Sequence, residues 1–222
     1  NRDNDPLEKA ENIDPILDGV DAIFYTHFHG DHVGFESYVA EKEIPQYIGK
    51  LSKKLLLLQR GNILYYHSTP ELRASKKAIE GFISYEAAKP VKVGDIVVTP
   101  YYVSHSSPDA YMFVIECDGH TVLHTGDFRD HGYRGKGLEP TIQKYIAPRH
   151  IDVLITEGTM LNRDDGRMIS EEQLCKQATK LMQKYKYVFF MCTTQDADRI
   201  SSINHATDTV RGRRMLVDGY QY

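Results

Sequence analysis

Three observations predict an α/β fold for this chain. Asp21-Ala22-Ile23-Phe24-Tyr25-Thr26 is a buried-strand pattern that runs into a histidine-rich loop and then a helix. From Val91 the apolar residues take the two-residue period of β structure. From about Glu139 onward, helical segments alternate with short apolar runs. Strands that first cluster and then alternate with helices argue for an antiparallel-rich α/β layer followed by a βαβ-type segment.

Each element follows in order. Residues 1–19 hold Pro6, Pro15 and Gly19 and no apolar run of strand length, so they read as a lead-in. After the first strand a helix is expected from about Gly34 to Glu43, then a short strand over Pro45 to Gly49 and a helix over Lys50 to Gln59. Thr69 before Pro70 starts another helix, the hydroxyl as N-cap and Pro at the first helical position. Strands follow at Val93, Asp95 to Tyr102, Ala110 to Cys117 and His120 to Thr125. The last two are joined by Asp118-Gly119, a type I′ hairpin dipeptide. A helix over Glu139 to Ala147 precedes a buried strand over Ile151 to Thr156. Ser170-Glu171-Glu172-Gln173 is a capping box opening a helix to about Lys184. Tyr187 to Met191 reads as a strand, Asp196 to Ala206 as a helix, and Met215-Leu216-Val217 as the start of one more strand.

The composition sets limits. With 27 Lys and Arg against 31 Asp and Glu, the formal net charge of −4 excludes nucleic-acid binding driven by bulk positive charge, though not a local basic groove. Cys117, Cys175 and Cys192 are odd in number and lack CxxC spacing, so neither a disulfide framework nor a cysteine-only zinc site is expected, and a reducing, cytoplasmic compartment fits. The longest aliphatic run, Leu55 to Leu58, is far short of the roughly 20 residues a membrane span needs.

The strongest chemical signal is Thr26-His27-Phe28-His29-Gly30-Asp31-His32. Residues i and i+2 of an extended segment point the same way, so His27 and His29 can present two imidazoles to one metal. Gly30 permits a sharp turn that carries Asp31 and His32 toward a second. A single histidine is ordinarily a polar surface residue; three with an aspartate inside six positions, directly after an apolar strand, indicate a metal site. Imidazole and carboxylate together suit zinc, with manganese or iron as alternatives. His105 follows the strand ending at Tyr102, and Asp127 follows the strand ending at His124, each one ligand-type residue just past a strand end.

HxHxDH, a lone His and then Thr125-Gly126-Asp127 together resemble the metallo-β-lactamase fold of metal-dependent hydrolases, over roughly Asp18 to Glu157. The resemblance implies a partial αββα sandwich with two divalent ions. It places His27, His29 and His105 on the first ion, Asp31 and His32 on the second, and Asp127 bridging both. It further implies a hydroxide shared by the two ions as nucleophile, with Asp31 orienting it.

Further segments are similar to the β-CASP nucleases of the ribonuclease J and polyadenylation-nuclease type. They are Ser104-His105-Ser106-Ser107-Pro108-Asp109, Thr125 to Arg129, and Asp152 to Thr159, where Glu157 takes the place of an acidic motif residue and Gly158 departs from the usual Ser. Cys192 to Ile200 resembles the opening of the β-CASP domain, and Val217 to Gln221 the strand after its first helix. The division expected is a metallo-β-lactamase domain over 1–160, lacking its first strands, and the beginning of a β-CASP-like α/β domain over 161–222. Asp198-Arg199 reads either as a solvated ion pair on a helix or as a substrate contact. Only 26 residues precede His27, and no histidine suited to the second ion's last position follows His150, so the chain is expected to be a piece, or a degenerate relative without catalysis. The function expected is a ribonuclease with Asp31, Asp127 and Glu157 as catalytic carboxylates and RNA as partner, self-association being left open. A small-molecule hydrolase of lactonase or thioesterase type, and a catalytically incomplete binding module, are the alternatives.

Overall fold

A computed structural model describes residues 13–159, 161 and 168–217. The chain forms α1 (Asp14–Leu17), β1 (Ile23–Phe24), α2 (Gly30–Val33), α3 (Glu36–Glu41), β2 (Gln46–Gly49), α4 (Lys50–Tyr66), α5 (Pro70–Glu80) and β3 (Ile83–Tyr85). Then come β4 (Val91–Val93), β5 (Ile96–Val103), β6 (Ala110–Cys117) and β7 (His120–His124). The remainder is α6 (Leu138–Thr141), extended by a π turn over Ile142–Ile146, then β8 (Val153–Ile155), α7 (Glu171–Lys184) and α8 (Ala197–Thr209).

Two sheets result: a parallel one in the order β1-β2-β3, and one in the order β4-β5-β6-β7-β8, antiparallel except for the β7–β8 pair. The period-2 rule explains how they stack. On β6, Tyr111 and Phe113 point one way into a cluster with Phe24, Tyr47 and Tyr85 of the small sheet. The intervening Ala110, Met112 and Val114 point the other way, against Leu138, Ile142 and Ile146. The inter-sheet layer is aromatic: Phe24 meets Phe113 edge-on at 5.9 Å, and Tyr85 meets Tyr111 at 4.9 Å. The outer face of the small sheet packs Tyr25 and Ile48 on Leu56 of α4 and Ile79 of α5. The layers therefore run helix, sheet, sheet, helix, as expected of an αββα sandwich. Helices α7 and α8 pair through their own core of Ala178, Met182, Ile203 and Ala206.

Local signals place most boundaries. The Thr69 hydroxyl accepts from Leu72 N, Ser170 and Gln173 close a reciprocal capping box, and Asp118 and Gly119 both take positive φ at the β6–β7 hairpin. Several expectations need correction. The helix predicted over Gly34 to Glu43 is two short ones, the first starting at Gly30 so that Asp31 and His32 lie within it. Helix α4 runs seven residues beyond Gln59, to Tyr66, and β3, three residues with no usable period, was not predicted. Strand β8 exists but is not buried: Val153, Leu154 and Ile155 are all about half exposed, because it lies at the sheet edge with one neighbour. Tyr187 to Met191 and Met215 to Val217 are not strands; no described strand pairs with them, and Phe189 and Met191 are almost fully exposed. The remainder of the predicted last strand, 218–221, lies outside the described residues. Among the described residues no helix is long and apolar enough to cross a membrane.

Candidate metal centre

The sheet topology explains why distant residues meet. Strands β5 and β7 both pair antiparallel to β6, and β8 runs parallel to β7, so the C-terminal ends of all three lie at one edge. His105, Asp127 and Glu157 follow those ends. The loop after β1 reaches the same edge because Tyr111 N, at the start of β6, donates to Thr26 O at 3.0 Å. Gly126 makes that approach possible. Its φ is +58°, and a Cβ there would lie 2.7 Å from the Tyr111 carbonyl oxygen.

Two overlapping groups of ligand-type atoms form, the atoms of each all within 4.8 Å of one another: His27, His29 and His105, and His27, His32 and Asp127. His27 is fully buried. Its Nδ1 contacts Thr26 Oγ1 at 3.0 Å, which turns Nε2 to the centre, 3.0 Å from His29 Nδ1. His105 Nε2 lies 3.3 Å from the same His29 nitrogen. Asp127 Oδ2 sits between the groups, 3.4 Å from His32 Nε2 and 3.9 Å from His105 Nε2. Asp31 is in neither group; its carboxylate is 80% exposed and 3.7 Å from His32 Nε2. Glu157 is not among these atoms either. Its Oε1 accepts from Phe128 N at 2.7 Å and its Oε2 from the Thr159 hydroxyl at 2.5 Å, so it braces the loop that carries Asp127.

The electrostatics favour a cation. Burial, reinforced by His32, His29 and His105, pushes the His27 pKa down to about 2. Burial and His29 lower His105 to about 4, against the opposing pull of Asp127. His29 is lowered by burial, while the Gln195 backbone, Asp31 and Asp127 pull it back. At neutral pH these are neutral imidazoles with nitrogens converging on one point, and His29 Nε2 is buried without a well-formed hydrogen bond. Converging neutral imidazoles beside a carboxylate are a donor set that fits a divalent transition metal.

Sequence reasoning missed the surroundings of Asp198 and Arg199. They are not paired with each other, since neighbours i and i+1 on a helix point apart. Asp198 Oδ2 is 3.0 Å from Arg129 Nη2, and Arg199 Nε donates to Glu171 Oε1 at 2.8 Å. The usable signal was Arg129 itself, a cation two residues past Asp127.

The fold and the cluster together define a four-layer α/β protein with a histidine–aspartate centre at its strand ends. Residues 4–190 match the family model of the Beta-lactamase superfamily domain, and the chain belongs to that family. Ribonuclease J of Helicobacter pylori is 30% identical over 118 residues, covering 52% of this chain and 16% of that one. Ribonuclease J of Mycobacterium tuberculosis is 27% identical over 218 residues, 96% of this chain and 36% of that enzyme. Endoribonuclease ysh1 of Schizosaccharomyces pombe is 29% identical over 152 residues, 64% of this chain and 19% of that one. The chain thus spans between about a sixth and about a third of these relatives' length. A crystal structure from Enterococcus faecalis V583, described as a protein of unknown function, superposes with a TM-score of 0.64 at 23% identity. It covers 82% of this chain and 44% of that one, and shows the fold alone.

Proposed function

We propose that this chain is the metal-binding portion of a β-CASP-type hydrolase that cleaves RNA phosphodiester bonds. The observation that carries this is the pair of groups joined at His27, formed in a Beta-lactamase superfamily domain whose relatives include enzymes named ribonuclease J. In this reading His27, His29 and His105 hold one divalent ion, and His32 and Asp127, with Asp31 beside them, serve a second; zinc is the first choice, manganese or iron the others. Ions bound there supply Lewis-acid activation of the water that attacks phosphorus. The chain's own residues hold the arrangement. Thr26 fixes the His27 ring, Glu157 braces the Asp127 loop, and the exposed Asp31 carboxylate is free to accept a proton at the mouth of the site. In this reading residues 1–160 are the metal-binding domain and 161–222 the opening of a second domain.

The test is cleavage of 5′-labelled single-stranded RNA by the purified protein with added zinc or manganese. The expected result is cutting by the wild type and its loss in His29→Ala. Uncut RNA with the wild type, or equal cutting by the variant, overturns the reading.

A further inference from the structure

We propose that Asp198, acting through Arg129, is a positioning residue of the metal centre, so that the start of α8 holds His105 where it can ligate. The inference rests on the metal-centre reading above and adds a residue outside the ligand set.

His105 lies between two carbonyls that are both held. Ser104 O accepts from Arg129 N at 2.7 Å, and Ser106 O accepts from Ala197 N at 3.1 Å and Asp198 N at 3.4 Å. Those last two amides open α8, where a helix has no acceptors of its own, and the His105 loop supplies one. The charges around this joint fix its geometry. The Arg129 guanidinium lies 3.0 Å from Asp198, 3.3 Å from Asp196 and 3.8 Å from Glu171, with side chains 13%, 12%, 16% and 0% exposed respectively. Asp198 Oδ2 also accepts from Tyr133 N at 3.0 Å, and Glu171 N donates to His131 O at 3.0 Å. Between them passes Gly132, where a Cβ would overlap Ser104 Oγ and lie 2.8 Å from Asp198 Oδ2. The backbone of one loop, the loop after Asp127 and the first turn of α8 are therefore packed with no room for a side chain at their meeting point.

Removing the Asp198 charge takes from Arg129 the shortest of its three carboxylate contacts and leaves Asp196 at 3.3 Å and Glu171 at 3.8 Å to draw the guanidinium toward them. The Arg129 backbone N–H grips the carbonyl just before His105, so a displaced Arg129 loosens that loop. Relaxation of that loop moves His105 Nε2 away from its 3.3 Å approach to His29. A joint that only fastened the α7–α8 pair to the sheets would lower stability and leave metal affinity alone.

The test is zinc affinity by competition with a chromophoric chelator, together with the visible spectrum of the cobalt(II)-loaded protein. Loss of a partner that orients a ligand costs about 10- to 100-fold in metal affinity. Asp198→Asn is expected to fall in that range with a changed cobalt band, while Glu172→Gln, which loses only exposed pairs with Lys136 and Lys176, binds as wild type. Arg129→Lys keeps the charge but not the planar guanidinium whose Nη2 donates to both Asp196 and Asp198, and serves as the milder variant if Asp198→Asn does not fold; a loss of about three- to tenfold is expected. Folded variants that bind zinc within about twofold of wild type, with an unchanged cobalt spectrum, overturn the proposal. A wild type that binds neither ion overturns the metal-centre reading instead.

Discussion

Acid should destabilise the metal-free protein in a window set by its buried histidines. The unfolded chain protonates each histidine near its ordinary value of 6.5, whereas native His27 resists protonation down to about 2 and native His105 down to about 4. Between those limits the unfolded state binds more protons than the native state, so stability is full above about pH 6.5 and falls as pH falls. The slope is about 1.4 kcal/mol per pH unit for each histidine. At pH 5 the loss is therefore about 2 kcal/mol apiece, about 4 kcal/mol for the two, a large part of the 5–15 kcal/mol typical of a domain. With a urea m-value of about 2–3 kcal/mol per molar, the midpoint should drop by about 1.3–2 M between pH 7.5 and pH 5. Most carboxylates titrate below this window, which isolates the histidines. The assay is urea unfolding of chelator-treated protein at both pH values, with His105→Gln as comparator, expected to recover about half of the shift. Added zinc should raise stability at pH 7.5, by about 2.7 kcal/mol at a hundredfold excess over Kd, and progressively less toward pH 5 as protons compete for the imidazoles. Coincident midpoints at the two pH values, or a His105→Gln shift equal to that of the wild type, would refute the reasoning.

Two further outcomes follow from the geometry. Gly126→Ala puts a Cβ at positive φ and within 2.7 Å of the Tyr111 carbonyl, so a loss of about 1–3 kcal/mol is expected by urea unfolding, together with weaker zinc binding because Asp127 is the next residue. A variant as stable as the wild type would show that the loop adapts freely. Phe113→Ala removes the ring that meets Phe24 and Tyr85 between the sheets, and should cost about 3–5 kcal/mol with the metal ligands themselves untouched. A loss below about 1 kcal/mol would mean that the layer collapses around the vacancy.

What could be read along the chain was whatever local geometry encodes. Alternation placed β5 and β6, Asp118-Gly119 the hairpin, and Thr69 and Ser170 the helix starts, since each depends on residues a few positions apart. The same holds for His27 and His29, two residues apart at the end of a strand. Tertiary structure alone decided the rest. Whether His105 and Asp127 meet His27 depends on strand order, which leaves β5, β7 and β8 ending at one edge. Asp31 faces outward while His32, the next residue, meets Asp127, a difference that adjacency in sequence does not reveal. The exposure of β8 depends on what covers it, and the partner of Asp198 is Arg129, from a loop beyond the reach of any helical spacing. Local rules determine which residues can act together within a turn; desolvation and long-range pairing determine which ones do.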